Sequence, residues 1–206
     1  MTATAERPRL GVFGGTFDPP HVGHLVVAQE VLHRLALDRL LVVPAAVPPH
    51  KRDQPVTGGA VRLAMARAAM AALDRVEVSD LELRRDGPSY TVDTLRALRA
   101  DHPDAELFLV LGADQVRELD TWHEADELRR LATLVVFRRA GQDPDPPGAV
   151  ATGELLEIEV PRLDISSTEI RRRVGAGEPV RFLVPEAALE VIEREGLYRE
   201  PHAAGA

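Results

Sequence analysis

Hydrophobic residues along the chain fall into short uninterrupted runs that alternate with stretches where they recur at helical spacing. Arg9 to Phe13 reads as a buried strand, followed at once by Gly14-Gly15-Thr16-Phe17-Asp18-Pro19-Pro20. From His21 to Leu37 the apolar positions keep helical spacing, so the glycines and prolines between are expected to form a strand-to-helix turn. Leu40 to Val43 is a second strand, ended by Pro44, and a Pro-rich loop from Ala45 to Pro55 leads to an Ala-rich helix over Val61 to Leu73. A third strand is expected at Val76 to Val78 and a helix over Val92 to Ala100. Leu107 to Leu111 is the clearest strand, stopped by Gly112. Helices over Ala113 to Leu119 and Glu124 to Leu131, a strand over Leu134 to Phe137 and a flexible loop over Ala140 to Gly153 come next. A strand over Leu155 to Val160 and helices over Ser167 to Val174 and Pro185 to Glu195 complete the pattern.

Strands alternating with helices at this spacing imply an α/β, Rossmann-like parallel sheet with helices on both faces. Ligands of such sheets sit beyond the carboxyl ends of the strands, where the first strand-to-helix turn lies. No internal repeat or strong linker divides the chain, so one domain over residues 1–206 is expected, with its core at 9–198 and flexible ends at 1–8 and 199–206.

Composition narrows the functional classes. The 206 residues carry a net charge of −8 and include no cysteine, so disulfides and cysteine-type zinc sites are excluded. No run approaches the roughly 20 apolar residues that span a bilayer, and the polar N-terminus has no signal-peptide core. A cytoplasmic protein without a membrane role is expected. An acidic domain is also a poor tracker of nucleic acid, which asks for a basic face. The basic residues are 24 arginines and a single lysine, Lys51. That skew singles out Lys51 as a place where a compact, mobile ammonium matters.

The first turn carries the chemistry. Gly14 and Gly15 lack a Cβ, which allows a sharp turn and a close ligand approach. The helix that follows offers unpaired N–H groups and the positive end of its dipole, an anion site. His21 and His24 are three apart and project from one face, with Gly23 between them clearing room for a nucleotide. A metal role for the two histidines is disfavoured, because no third nitrogen or sulfur ligand lies nearby and zinc asks for three or four. Ser166-Ser167-Thr168-Glu169 fits a capping box, Ser166 paired with Glu169, and Arg171 in the first turn of that helix could clamp phosphate oxygens. Arg172 and Arg173 read as solvated.

The block Gly-x-Phe-Gly-Gly-Thr-Phe-Asp-Pro-Pro-His-x-Gly-His-Leu, from Gly11 to Leu25, resembles the signature of the His-x-Gly-His nucleotidyltransferases. Within them the chain resembles the bacterial nicotinate-nucleotide adenylyltransferases from Leu10 to Tyr198. Pro48-Pro49-His50-Lys51, Gly87-Pro88-Ser89-Tyr90-Thr91, Gly112-Ala113-Asp114, Trp122 and Ile165-Ser166-Ser167-Thr168-Glu169-Ile170-Arg171 recur in the expected order. The resemblance implies the nucleotidyltransferase fold and adenylyl transfer from ATP to nicotinate mononucleotide, with Mg²⁺ accompanying ATP. It implies catalytic roles for His21, His24, Lys51 and Arg171. ATP would be held by Gly14, Gly15, Thr16, Gly23, Gly112, Asp114, Arg139, Ile165, Ser166, Ser167 and Thr168. Asp114 would take the ribose hydroxyls, Ile165 the neighbourhood of the adenine, and the Ser166–Arg171 motif the β- and γ-phosphates. Nicotinate mononucleotide would meet Gly15, Lys51, Trp122 and the backbone N–H groups near Tyr90 and Thr91, the last receiving its carboxylate. Arg138-Arg139-Ala140-Gly141 stands where relatives often show Arg-Pro-Gly, which leaves open whether Arg138 or Arg139 reaches the nucleotide.

Three alternatives stay in view: adenylyl transfer to nicotinamide mononucleotide, transfer to phosphopantetheine, and a non-catalytic nucleotide sensor. Tyr90-Thr91 and Trp122 favour an aromatic carboxylate acceptor. Lys51 and both histidines have no place in a mere sensor. A transfer-RNA-charging enzyme is excluded by length and acidity, and a homo-oligomer is left open.

Overall fold

The computed structural model describes residues 7–47, 56–141 and 155–199. Six strands, β1 (Arg9–Gly15), β2 (Arg39–Pro44), β3 (Val76–Val78), β4 (Glu106–Gly112), β5 (Thr133–Arg139) and β6 (Leu155–Val160), form one sheet in the order β3-β2-β1-β4-β5-β6. Every pairing is parallel. The expected α/β architecture is therefore present. The order reverses between β1 and β4, so a crevice opens where the chain leaves β1 and β4 for opposite faces, the usual ligand position in open α/β sheets.

Buried strands must be apolar on both sides, which explains the runs Leu-Leu-Val-Val in β2 and Leu-Phe-Leu-Val-Leu in β4. Val12, Leu41, Leu107, Leu109 and Leu111 point to one face, where they meet Val92, Leu95 and Leu98 of α3 (Thr91–Asp101). Leu119 and Leu128, from the segments after β4, complete that layer. Phe13, Leu40, Val42, Phe108 and Val110 point to the other, against Val27, Ala28 and Val31 of α1 (Val22–Arg34). A third cluster joins α2 (Gly59–Met70), α6 (Ser167–Gly175) and α7 (Glu186–Arg194) through Met65, Ile170, Ala188 and Ile192. Two short helices, α4 (Ala113–Arg117) and α5 (Ala125–Leu131), flank a single 3-10 turn at Leu119–Thr121.

Element ends depart from the expected bounds in ways that matter for the site. β1 continues through Gly15. Neither Gly14 nor Gly15 has a positive φ, and the left-handed residue of the turn is Phe17, at φ 51°. The glycines therefore do not make the bend. Helix α1 stops at Arg34 because Ala36 adopts φ 45°, while Leu35 and Leu37 stay apolar as packing residues of the connection. The expected flexible ends and the loop over Ala140 to Gly153 lie almost wholly outside the described residues, as does Pro48-Pro49-His50-Lys51. No described helix is long and apolar enough to cross a membrane.

Candidate active site

The turn after β1 and the start of α6 meet. Ser167 Oγ donates to the Pro19 carbonyl at 2.8 Å, and Arg171 Nη1 donates to the Asp18 carbonyl at 2.7 Å. Two segments almost 150 residues apart in the chain are thereby locked together, |i−j| being 148 for the serine bond. Arg171 Nη2 also reaches Thr168 Oγ1 at 3.3 Å. No described carboxylate pairs with Arg171, so its charge stays available beside the turn. Ser166 caps α6, its Oγ accepting from the Glu169 N–H at 3.1 Å. The reciprocal half of the expected capping box is absent: the Glu169 carboxylate turns away to Arg172 and Arg173 at 2.8 and 3.0 Å. Those two arginines are ion-paired rather than simply solvated. With Glu169 N on Ser166 Oγ and Ile170 N on the Ser166 carbonyl, the N–H groups of Ser167 and Thr168 have no hydrogen-bond partner among the described residues.

His21 is the N-cap of α1 and His24 its third residue, with ring centroids 3.8 Å apart. The His21 N–H donates to His24 Nδ1 at 3.1 Å. A neutral imidazole that accepts at one nitrogen carries its proton on the other, so this bond assigns the His24 proton to Nε2. Phe17 lies edge-on to the His24 ring at 5.0 Å and braces it. The glycines have separate reasons to be there. A Cβ on Gly23 would come within 3.0 Å of His21 Cε1 and Nδ1, so Gly23 makes room for the imidazole itself. A Cβ on Gly14 would meet nothing within 4 Å, which leaves an open approach to the strand end. Val22 N is taken by the Leu183 carbonyl and His24 N by that of His21, at 3.0 and 2.8 Å. Gly23 is thus the first-turn residue of α1 whose N–H is not committed to another described residue.

On the acceptor side, Ser89, Tyr90 and Thr91 lead into α3. Tyr90 N is bonded to the Pro88 carbonyl at 3.0 Å, so of the two expected carboxylate donors Thr91 is the one uncommitted among the described residues. The Tyr90 ring stacks on His123 with centroids 4.3 Å apart. Trp122, next in sequence, is half-buried against the α3 face of the core. It borders a cavity of about 580 Å³ lined also by Asp120, Glu124 and Arg129, a cavity that none of the histidines, Arg139 or Arg171 lines. Gly112 caps α4, and the Asp114 side chain is 96% exposed with Arg117 at 3.2 Å. Ile165 is half-buried against the third core cluster.

The cytidylyltransferase-like family profile matches residues 12–173. A protein of Geobacillus thermodenitrificans named "Probable nicotinate-nucleotide adenylyltransferase" is 46% identical over 190 residues, covering 92% of this chain and 86% of its own. A protein of the same name from Clavibacter sepedonicus is 46% identical over 200 residues, covering 97% of this chain and 98% of its own. The chain belongs to the nicotinate-nucleotide adenylyltransferase family. The fold agrees: the Plasmodium falciparum nicotinic acid mononucleotide adenylyltransferase complexed with NaAD superposes with a TM-score of 0.77 at 20% identity, covering 93% of this chain and 97% of that one.

Electrostatics set the resting state of this adenylyltransferase site. Burial pushes the His21 imidazole down to about 4, assisted by the positive Arg139. His24 is held well below the ordinary 6.5 by burial, by His21 and by Arg139. Both rings are neutral at pH 7. The same field separates the two candidate arginines. Arg138 pairs with Glu157 at 2.9 Å, whereas Arg139 is the one whose positive charge acts on the histidines. Arg139 shares a strand face with Phe137, which packs edge-on against Phe13 at 6.2 Å, and Phe13 in turn lies beside His24. His21 Nδ1 is buried with no hydrogen-bond partner among the described residues, as expected of a group that a ligand satisfies.

Sequence reasoning missed several residues that shape the site. Asp18 is 3% exposed; Oδ2 accepts from Thr57 N at 3.1 Å and Oδ1 from the Tyr198 hydroxyl at 2.5 Å. Burial and the Asp18 carboxylate push the Tyr198 phenol far above its ordinary value, so it remains a donor. Arg62 and Glu82 are buried charges beneath the loops, and His123 covers Tyr90. Two of them had a usable signal: His123 adjoins the single tryptophan, and Asp18 stands in the first-turn block.

The depressed His21 value makes a stability prediction. Between pH 6.5 and about 4 the unfolded chain binds a proton that folded His21 refuses, so stability must fall as pH drops through that window. Urea unfolding at several pH values should show this decline. Replacing His21 with Gln should flatten it by about 1–3 kcal/mol over the window. An unchanged slope in that variant would show His21 to titrate normally.

Proposed function

We infer that this chain transfers the adenylyl group of ATP to nicotinate mononucleotide, giving nicotinate adenine dinucleotide and pyrophosphate, the chemistry of its family in NAD biosynthesis. The observation that carries the reading is the junction of α6 with the turn after β1, where Arg171 and Ser167 hold the Asp18 and Pro19 carbonyls. It presents two sets of main-chain donors and two neutral imidazoles to one triphosphate.

The acceptor phosphate is largely a dianion at pH 7, since its second pKa lies near 6, so it attacks the α-phosphorus without a general base. The difficulty is bringing two polyanions together. Positioning and charge neutralisation therefore supply most of the acceleration. His24 Nε2–H and His21 donate to the α-phosphate oxygens, whose charge grows in the transition state. The Ser167 and Thr168 N–H groups and the Arg171 guanidinium take the departing pyrophosphate, with Arg139 adding positive field over the histidines. Gly14, Gly15, Thr16 and Gly23 line the approach to the phosphates. Gly112, Asp114, Ile165 and Ser166 are assigned to the adenosine. Lys51 is assigned to the phosphates between the substrates and lies outside the described residues. Residues 9–198 act in this reading as one nucleotidyltransferase domain.

Mg²⁺ enters as part of the ATP substrate. Phosphate and water oxygens would be its natural ligands. At the acceptor site, the Thr91 N–H at the start of α3 favours a carboxylate over a neutral amide, and Trp122 offers its face to the cationic pyridinium. Operation in the cytoplasm, where both nucleotides are at hand, belongs to the same proposal.

Pyrophosphate release with ATP and each of nicotinate mononucleotide, nicotinamide mononucleotide and phosphopantetheine tests the reading. The highest kcat/KM is expected for the nicotinate compound; a preference for phosphopantetheine, or no release with any acceptor, would reject it. Replacing His24 with Ala should lower kcat by about 10²–10³, the scale of one lost charge-stabilising donor. A near-normal rate would remove His24 from the mechanism.

A further inference from the structure

Arg62 lies on α2, is 1% exposed and makes no hydrogen bond to a carboxylate among the described residues. Its Nε donates to the Thr57 carbonyl at 2.7 Å and its Nη1 to the Thr16 carbonyl at 2.8 Å. Its Nη2 donates to the Ala45 and Ala46 carbonyls at 2.6 and 3.2 Å. A guanidinium is a rigid planar fork, so these bonds fix the angles between three separate segments as well as their distances. Burial disfavours such a charge, and the four carbonyls together with the nearby Asp18 and Glu82 carboxylates offset that penalty.

Two of those segments belong to opposite halves of the site. Thr16 is in the turn that faces the triphosphate. Carbonyl and N–H point opposite ways across a trans peptide, so holding Thr16 O toward Arg62 turns the Phe17 N–H away from it. Ala45 and Ala46 lead out of β2, and their other side is fastened to the acceptor loop. Ser89 Oγ accepts from Ala46 N at 2.8 Å and Val47 N at 3.3 Å, and Ser89 N donates to the Val47 carbonyl at 3.2 Å. Ser89 itself immediately precedes Tyr90, the N-cap of α3. Glu82 and Arg85 underpin that cap through Thr94, whose hydroxyl donates to Glu82 at 2.7 Å and accepts from Arg85 at 3.0 Å. A continuous chain of short hydrogen bonds thus runs from Thr16 through Arg62, Ala45–Ala46 and Ser89 to the start of α3.

We propose that Arg62 is a positioning residue that couples the nucleotide turn to the acceptor loop, so that filling one side of the site prepares the other. The proposal rests on the adenylyl-transfer reading above. A merely structural Arg62 would lower stability and leave the two ligands independent of each other; a coupling Arg62 makes them bind cooperatively.

Calorimetry of nicotinate mononucleotide binding, with and without saturating α,β-methylene-ATP, separates the two. In the unsubstituted protein the analogue should tighten acceptor binding by about 5–50-fold, within the usual range of coupling between sites. Arg62→Lys cannot reach three segments at once. At a temperature where circular dichroism shows it folded, it should bind each ligand alone within about three-fold of normal, lose the tightening to below about two-fold, and lose about 10–100-fold in kcat. Ser89→Ala loosens the same path while leaving the Arg62 fork whole and Glu82 its bond from Thr94, and it decides the matter should Arg62→Lys not fold. Loss of coupling in the folded variant supports the proposal. Coupling retained there, or independent binding in the unsubstituted protein, overturns it. Failure of the adenylyl-transfer reading would look different: no acceptor binding and no pyrophosphate release by the unsubstituted protein.

Discussion

The site depends on one junction, the bond from the α6 arginine and serine to the carbonyls of the turn after β1. Without it the two anion-binding ends would be separate features of a Rossmann-like sheet. With it, the start of α6 is bonded to the turn that runs directly into His21 and α1, which is the basis for proposing a shared site. Each helix end alone is worth only about 0.3–1 kcal/mol toward an anion at an exposed position. In the proposed site their joint action on one triphosphate would exceed that sum, because the same charges act more strongly where water is excluded.

The acidic composition sharpens this arrangement. A chain of net charge −8 repels nucleotides at long range, so its positive groups must be sorted carefully. Many arginines are occupied by neighbouring acids: Arg172 with Glu169 and Glu178, Arg96 with Glu124, Arg138 with Glu157. Arg171 is instead held by a carbonyl and a hydroxyl, and Arg139 spends its field on the histidines. Both histidines rest neutral, chiefly because they are buried and secondarily because of that field. In the proposed mechanism they act on the phosphate as hydrogen-bond donors rather than as fixed charges, and the ligand would supply the partner that buried His21 Nδ1 lacks among the described residues.

Much of the fold was legible because the parallel strands are buried on both faces and so read as unbroken apolar runs; β1, β2 and β4 stand within two residues of their expected ends. The docking of the Ser166–Arg171 helix on the first turn was legible only through the family resemblance. Local patterns failed where a side chain had two uses. Glu169 has the right spacing for a capping box, yet two arginines a turn away outcompete the N-cap amide for its carboxylate. Gly14 and Gly15 look like a bend, yet they extend β1 and leave the left-handed position to Phe17, whose buried ring supports His24. Arg62 and Tyr198 gave no signal, and Asp18, though part of the first-turn block, gave none of its partner: Tyr198 is 180 residues from Asp18. Buried polar scaffolds of this kind are invisible to periodicity, because each member breaks the apolar pattern at a single position.

The most direct test of the shared-site account is a crystal structure with α,β-methylene-ATP bound. The account predicts α-phosphate oxygens within hydrogen-bond distance of His24 Nε2, with the β- and γ-phosphates on the Ser167 and Thr168 amides and Arg171. A triphosphate bound at only one of these two helix ends, or lying elsewhere along the sheet, would contradict it.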